Sequence, residues 1–311
     1  MQFDLFPPPP LDLRADAALA ARRPPGLYVG TSSWTFPGWG GLVYRGRPTQ
    51  AQLVRWGLQE YAQHPLFNTV CIDRGYYAPL SPDELEHTAR QLPPGYRCGV
   101  KVWQAITDPG SAQYLDVGFF KDSVLAPLDR AFAGHLGPLV FQFPPMAHAP
   151  PDFVQRLERF FSRLPPGLMS AVELRTPALL TPHYLEALAR HGVAHVLNHW
   201  ERMPGLAAQL RVPGVLTGPH VVARVLLPQG LGYESAREAF APFDRLQAPD
   251  DGLRAAVSHL WERCAAEQRT LWLFVGNKAE GCAPLTVRGL LERVTGAATC
   301  RSPEGMPPAG K

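Results

Sequence analysis

Eight short apolar runs punctuate the chain, at 27–31, 69–72, 97–102, 138–143, 170–175, 193–198, 220–226 and 270–276. Most are apolar at consecutive positions rather than alternate ones, the pattern of parallel strands covered by helices on their outer face. The segments between them supply those helices, at 50–63, 81–91, 119–132, 151–164, 181–190, 253–268 and 284–294. Their starts are marked. Ser81-Pro82-Asp83-Glu84 offers an N-cap serine, a proline at the first helical position and a glutamate at the third, which is a capping-box pattern. Pro150-Pro151-Asp152 and Thr181-Pro182 open helices in the same fashion. Eight strands alternating with helices predict an α/β fold, a single-domain (β/α)8 TIM-like barrel. A doubly wound open sheet would also alternate, but no G-x-G-x-x-G follows the first run. The stretch 202–219 is rich in Pro and Gly and allows at most a short helix.

With 311 residues, 46% of them hydrophobic, the chain can bury one large core. The formal charge of +3 is spread along the sequence rather than gathered in runs, so neither nucleic acid nor an anionic membrane surface is demanded. Five cysteines at 71, 98, 264, 282 and 300 form no C-x-x-C spacing, which argues against a disulfide framework and a structural zinc site. A cytoplasmic protein with reduced thiols is expected, since the first ten residues lack a basic start and long apolar stretch and no window reaches membrane-spanning length. Residues 1–25 read as a Pro/Ala-rich arm, 26–295 as the barrel, and 296–311 as a disordered tail.

Several runs end on polar groups: Val100-Lys101, Phe141-Gln142, Glu173-Leu174-Arg175 and Ala223-Arg224. Glu173 and Arg175 lie two residues apart and therefore share one face of a strand. Carboxyl ends of barrel strands are where barrel enzymes build their sites. The expected mouth also takes Thr31, Ser32, Ser33 and Trp34 after the first strand, Asp73 and Arg74 after the second, Asn198 and His199 after the sixth, and Asn277 after the eighth. Gly99 beneath Lys101 and Ala171 beneath Glu173 leave room for the long side chains.

The segment Val29-Gly30-Thr31-Ser32-Ser33-Trp34-Thr35-Phe36-Pro37-Gly38-Trp39 resembles the opening strand and loop of the DUF72, or YecE-like, family. Phe67-Asn68-Thr69-Val70 with Tyr76-Tyr77, Val100-Lys101, the run from Leu136 through Phe141-Gln142-Phe143-Pro144-Pro145, and Val172-Glu173-Leu174-Arg175 are similar to that family's landmarks and come in the same order. Arg224, Phe274, Asn277, Gly281 and Ala283 fit its last two strands. The resemblance implies a TIM-like barrel and leaves the activity open. Departures fall in the expected pocket. The family's Glu-x-Asn-x-Thr is here Cys71-Ile72-Asp73-Arg74-Gly75, its His after the third strand is Asp108, its Arg-x-His-Gly is Arg224-Val225-Leu226-Leu227, and one of its paired asparagines is Gly276. This resembles a divergent member that has changed or lost pocket polar groups.

Four cations against two carboxylates make a positive mouth, which favours a small ligand carrying phosphate or carboxylate. Lys101, Arg175, Arg224, Gln142, Asn277, Trp34 and Ser32 are the expected ligand contacts, and no cofactor is implied. Each charge-assisted bond nets on the order of 1.5–3 kcal/mol, so three imperfectly additive bonds support roughly millimolar to micromolar binding. For hydrolase or lyase chemistry Glu173 is the expected acid or base, with Asp73 its carboxylate partner. Against this stands the bland alternative, in which Glu173, Arg175 and Lys101 are ion pairs filling the barrel and the protein is a non-catalytic binding module. A nucleic-acid-processing barrel is the third reading, motivated by Trp34, Phe36, Trp39, Tyr44, Tyr76, Tyr77 and Trp103 near the early loops, which equally serve as packing. A metal would have only Glu173, Asp73 and His199 as ligands and is not expected, while His195 reads as a core histidine.

Overall fold

The computed structural model describes residues 10–299. Its strands are β1 (Leu27–Thr31), β2 (Thr69–Ile72), β3 (Cys98–Lys101), β4 (Leu136–Gln142), β5 (Ser170–Glu173), β6 (Ala194–His199), β7 (His220–Val225) and β8 (Thr270–Val275). They follow the eight apolar runs to within two residues at each end. Neighbours in sequence pair in parallel, and β8 returns to β1, with Phe274 beside Gly30, to close the barrel. This is the (β/α)8 fold that the alternation of runs predicts.

Strand parity divides the core in two. Cys71, Val140, Ala171, Ala194, Val196, Val222, Trp272 and Phe274 form a separate buried cluster that fills the barrel, with Tyr28 stacked on Trp272 at 3.9 Å between centroids. The alternate residues pack outward against the helices in a larger cluster. His195 has the outward parity. It is buried, its Nδ1 lies 3.1 Å from the Tyr184 hydroxyl, and burial pushes its pKa down to about 4.

Local chemistry sets the helix boundaries. Ser81 accepts from the Glu84 amide while the Glu84 carboxylate accepts from the Ser81 amide, completing the expected box. Thr181 caps its helix by accepting from the Tyr184 amide. The helix expected from 151 starts at Phe153, because Asp152 binds Arg156 Nε at 2.8 Å and makes no cap bond to the helix amides. Phe153, Leu157, Phe160 and Phe161 recur at helical spacing and are all buried, each such burial contributing roughly 1.5–3 kcal/mol. The Pro- and Gly-rich stretch 202–219 holds one short helix, Leu206–Gln209.

Within the expected arm, a helix Arg14–Ala21 docks on the body through buried Asp16, which Arg288 of the last helix contacts at 2.8 and 2.9 Å. That last helix runs Ala283–Thr299. Residues 296–299 of the expected tail thus belong to this helix, while the first nine residues and 300–311, Cys300 among them, lie outside the described residues. The cysteines at 71, 98, 264 and 282 are free and buried. Among the described residues no helix is long and apolar enough to cross a membrane.

One interior detail differs from expectation. The space above Gly99 does not wait for Lys101, since a Cβ there would lie 2.6 Å from Cζ of Phe274, whose ring occupies it. Lys101 therefore stands on an aromatic floor supplied by β8. Gly30 is the tightest contact between strands: a Cβ would lie 1.8 Å from the Thr69 carbonyl oxygen, whereas at Gly134 it would meet no atom within 4 Å. Gly30→Ala should therefore lower stability by at least about 2 kcal/mol in urea unfolding, while Gly134→Ala stays within about 0.5 kcal/mol of the parent. Equal stabilities would contradict the β1–β2 packing described.

Candidate functional site

The inward face of each strand carries the apolar barrel filling upward into polar groups. Two residues above Cys71, Gly99, Val140, Ala171, Val196 and Val222 stand Asp73, Lys101, Gln142, Glu173, Asn198 and Arg224. Side chains on one strand face repeat with period two, so six neighbouring strands deliver these groups to one layer at the barrel's carboxyl end.

Glu173 is at the centre of that layer and is completely buried. Its Oε1 is ion-paired with Arg175 Nη2 at 2.6 Å and accepts from Asn198 Nδ2 at 3.3 Å, and its Oε2 accepts from Arg224 Nη1 at 2.6 Å. Arg224 extends the chain, its Nη2 donating to both oxygens of Asp73 at 3.0 and 2.9 Å. Gln142 Oε1 accepts from both guanidinium groups, 3.2 Å from Arg175 Nη2 and 3.3 Å from Arg224 Nη1. Arg175 lies in the bend just past β5, its guanidinium 4.4 Å from the centre of the Trp200 ring.

Burial alone would raise the Glu173 pKa, but Arg175, Arg224 and Lys101 together outweigh it and bring the group from 4.5 down to about 2. For Arg224 burial acts downward and is overcome by Asp73 and Glu173, leaving it firmly charged. Lys101 is different. Only 6% exposed, its ammonium rests 4.0 Å above the Tyr76 ring and forms no hydrogen bond or ion pair among the described residues. Burial pulls its pKa down, a tendency that Asp73 opposes only in part.

Above this layer opens a pocket of about 350 Å³, within the range of small-molecule sites. Asp73, Lys101, Gln142, Arg175 and Arg224 form its floor, and Ser32, Asn277 and Trp200 its walls. Tyr77, Tyr233 and Lys278 stand at its rim. Asn277 Oδ1 accepts from Trp39 Nε1 at 3.1 Å and from the Ala283 amide at 2.8 Å, which fixes the side-chain amide and leaves Nδ2 without a partner. The Ser32 hydroxyl is also buried and unpartnered. With Lys278 included, four cations face two carboxylates.

Of the residues singled out in the sequence, Glu173, Asp73, Lys101, Arg175, Arg224, Gln142, Asn277 and Ser32 converge here. Trp34 does not line the pocket: its Nε1 donates to the Leu53 carbonyl at 3.1 Å, and its own carbonyl accepts from the Tyr44 hydroxyl. Arg74 turns outward to Glu84. His199 has the outward parity of β6, away from Glu173, and Arg224 lies between Glu173 and Asp73. Among the described residues no group of three or more His, Cys, Asp or Glu side chains is placed to hold a metal ion. Of the departures from the family pattern, Leu226 and Gly276 line the pocket, while Asp108 lies outside the lining and accepts from the Gly110 amide at 2.9 Å. Trp103 packs on Phe119.

Sequence reasoning missed Trp200, Tyr233 and Lys278. Tyr233 opens a helix, Tyr233–Phe240, that has only Gly232 at its cap and no side-chain cap bond. Its signal in the sequence was correspondingly weak. Lys278 adjoins the singled-out Asn277 and was legible by position alone.

A closed parallel barrel with a polar, cation-rich mouth at its strand carboxyl ends defines a protein of the TIM-barrel class. The sequence pattern of DUF72, described as a protein of unknown function, matches residues 28–309, and the chain belongs to that family. A DUF72 family protein of Enterococcus faecalis V583 is similar in structure, with a TM-score of 0.61 at 19% identity over 86% of this chain and 95% of that one. Another, from Thermotoga maritima MSB8, has a TM-score of 0.61 at 20% identity over 88% of this chain and 99% of its own. These likenesses establish the shared fold. No curated protein matches the chain.

The depressed Glu173 pKa fixes a pH dependence. Because the folded value lies below the unfolded one, the stabilisation is complete above about pH 4.5 and is lost as the pH falls through about 2. From this group the parent should lose on the order of 3 kcal/mol across that window. Glu173→Gln should be less stable at pH 7, since it leaves Arg224 and Arg175 under-neutralised, and its acid limb should be flatter. Urea midpoints measured from pH 7 to pH 2 check both, and parallel acid limbs would contradict the assignment.

Proposed function

We propose that the barrel mouth binds a small ligand through a phosphate or carboxylate group held by Lys101. The observation that carries this reading is the division of labour among the cations. Arg224 is bound to two carboxylates and Arg175 to one, whereas the Lys101 ammonium borders the pocket without an acceptor. A buried charge with no partner is costly unless something completes it. Ser32 Oγ and Asn277 Nδ2 add two further unpartnered groups in the same pocket. A ligand rich in acceptor oxygens satisfies all three, and a neutral ligand does not.

Glu173 is an anchor in this reading, not an acid or base. It has no exposed surface and both oxygens are occupied by cations. Hydrolase or lyase chemistry on a bound ligand is the second reading, favoured by Asp73, whose side chain is 29% exposed and borders the pocket. Proton transfer would then fall to Asp73. Cys71 is not a nucleophile here, because burial pushes its thiol pKa well above the ordinary value.

A thermal-shift series over inorganic phosphate, sugar phosphates, nucleotides and carboxylates tests the binding reading. At 100 times its Kd a ligand adds about 2.7 kcal/mol of stability. Parent protein should melt higher with at least one of these anions, and Lys101→Met should lose that response while Lys278→Met keeps most of it. If no anion stabilises the parent, or Lys101→Met responds as the parent does, the anion site is wrong. Turnover of a bound ligand that Asp73→Asn abolishes would establish the catalytic version.

A further inference from the structure

Resting on the anion site proposed above, we infer that the natural ligand is a free nucleoside monophosphate or a closely similar phosphate joined to a planar ring, its phosphate on Lys101 and its ring between Tyr77 and Tyr233. The argument starts from exposed aromatic surface. Among the described residues only four large hydrophobic side chains are exposed, Val54, Trp56, Tyr77 and Tyr233. Two of the four, Tyr77 at 71% and Tyr233 at 56%, stand at this pocket. They reach it from separate parts of the barrel. Tyr77 follows the turn Asp73–Tyr76 at the end of β2, and Tyr233 begins the helix after β7.

Each ring is held in place while keeping surface free. Tyr77 packs edge-on against Tyr76 at 5.4 Å, and Lys278 Nζ sits 3.9 Å from the centre of the Tyr233 ring. Tyr76 in turn covers Lys101. Lys101, Tyr76 and Tyr77 therefore form one line of contacts from the floor to the rim, where Tyr233 presents a second open aromatic surface. Rings presented at the mouth of a cationic pocket are suited to stacking a planar base, the interaction by which proteins hold the bases of single strands without reading their sequence. The pocket volume of about 350 Å³ fits a single small molecule.

Calorimetric titration of the full chain with AMP, CMP, adenosine, ribose 5-phosphate, inorganic phosphate and a 5′-phosphorylated hexanucleotide tests the inference. AMP should bind at least about fivefold more tightly than ribose 5-phosphate. Tyr77→Ala and Tyr233→Ala, both at exposed positions, should each remove about fivefold or more of the AMP affinity and leave ribose 5-phosphate unchanged. Lys101→Met should weaken both phosphates and leave adenosine unaffected. If ribose 5-phosphate or inorganic phosphate binds as tightly as AMP and the tyrosine variants change nothing, the ring inference fails while the anion site stands. If no phosphate binds at all, both fail. A hexanucleotide bound tenfold more tightly than AMP would overturn the free-nucleotide ligand in favour of a polymer end.

Discussion

The buried carboxylate of Glu173 is the interaction on which the mouth of this barrel depends. Two guanidinium groups, from β7 and from the bend after β5, meet on its two oxygens at 2.6 Å each. Without it, Arg224 would be a fully buried cation facing only Asp73 and the Gln142 oxygen, and Arg175 would have only Gln142 and the Trp200 ring. Taking one ion from water into a protein interior costs several kcal/mol even after relaxation, so the network persists only because opposite charges and hydrogen bonds complete one another. Its geometric effect is to join the tops of β2, β4, β5, β6 and β7 through side chains where backbone pairing ends.

The same network decides which groups at the mouth remain without a protein partner. Arg224, the residue best suited by shape to a bidentate contact with phosphate, is bound to Asp73 and Glu173. Lys101, a point charge on a flexible stem, is left over. In the same pocket the buried groups without a partner include the Ser32 hydroxyl, the Asn277 amide NH2 and the Nε atoms of Arg175 and Arg224, and the Gln142 oxygen is already shared by two arginines. The floor is thus rich in donors and poor in free acceptors, while the rim is aromatic. Charge at the bottom and flat aromatic surface at the top are the two features that the proposed ligand, with its two unlike ends, would meet.

The barrel was legible in the sequence because its determinants are local. Apolar runs of strand length, the Ser81-to-Glu84 box and the parity of Glu173 with Arg175 need no knowledge of distant contacts. The resemblance carried by Gly30-Thr31-Ser32-Ser33-Trp34 and by Glu173-Leu174-Arg175 pointed to the family whose pattern matches the chain. Convergence of Lys101, Arg175 and Arg224 followed from placing each at a strand end. What was not legible depends on through-space closure. Which cation Glu173 would engage, that Phe274 would fill the space above Gly99, and that Trp34 would turn to Leu53 are settled by pairs far apart in sequence. Arg74 carried the same sequence signal as Lys101, and a single exposed partner, Glu84, draws it away. Tyr233 escaped notice because a helix capped by glycine alone announces itself poorly.

The most direct test of this account is a crystal structure of the protein soaked with phosphate or its heavier analogue tungstate. The account predicts anion density within hydrogen-bonding distance of Lys101 Nζ, flanked by Ser32 and Asn277, with Arg224 still bound to Asp73 and Glu173. Density on Arg224 with Asp73 displaced, or a mouth that stays free of anion at saturating concentration, would contradict it.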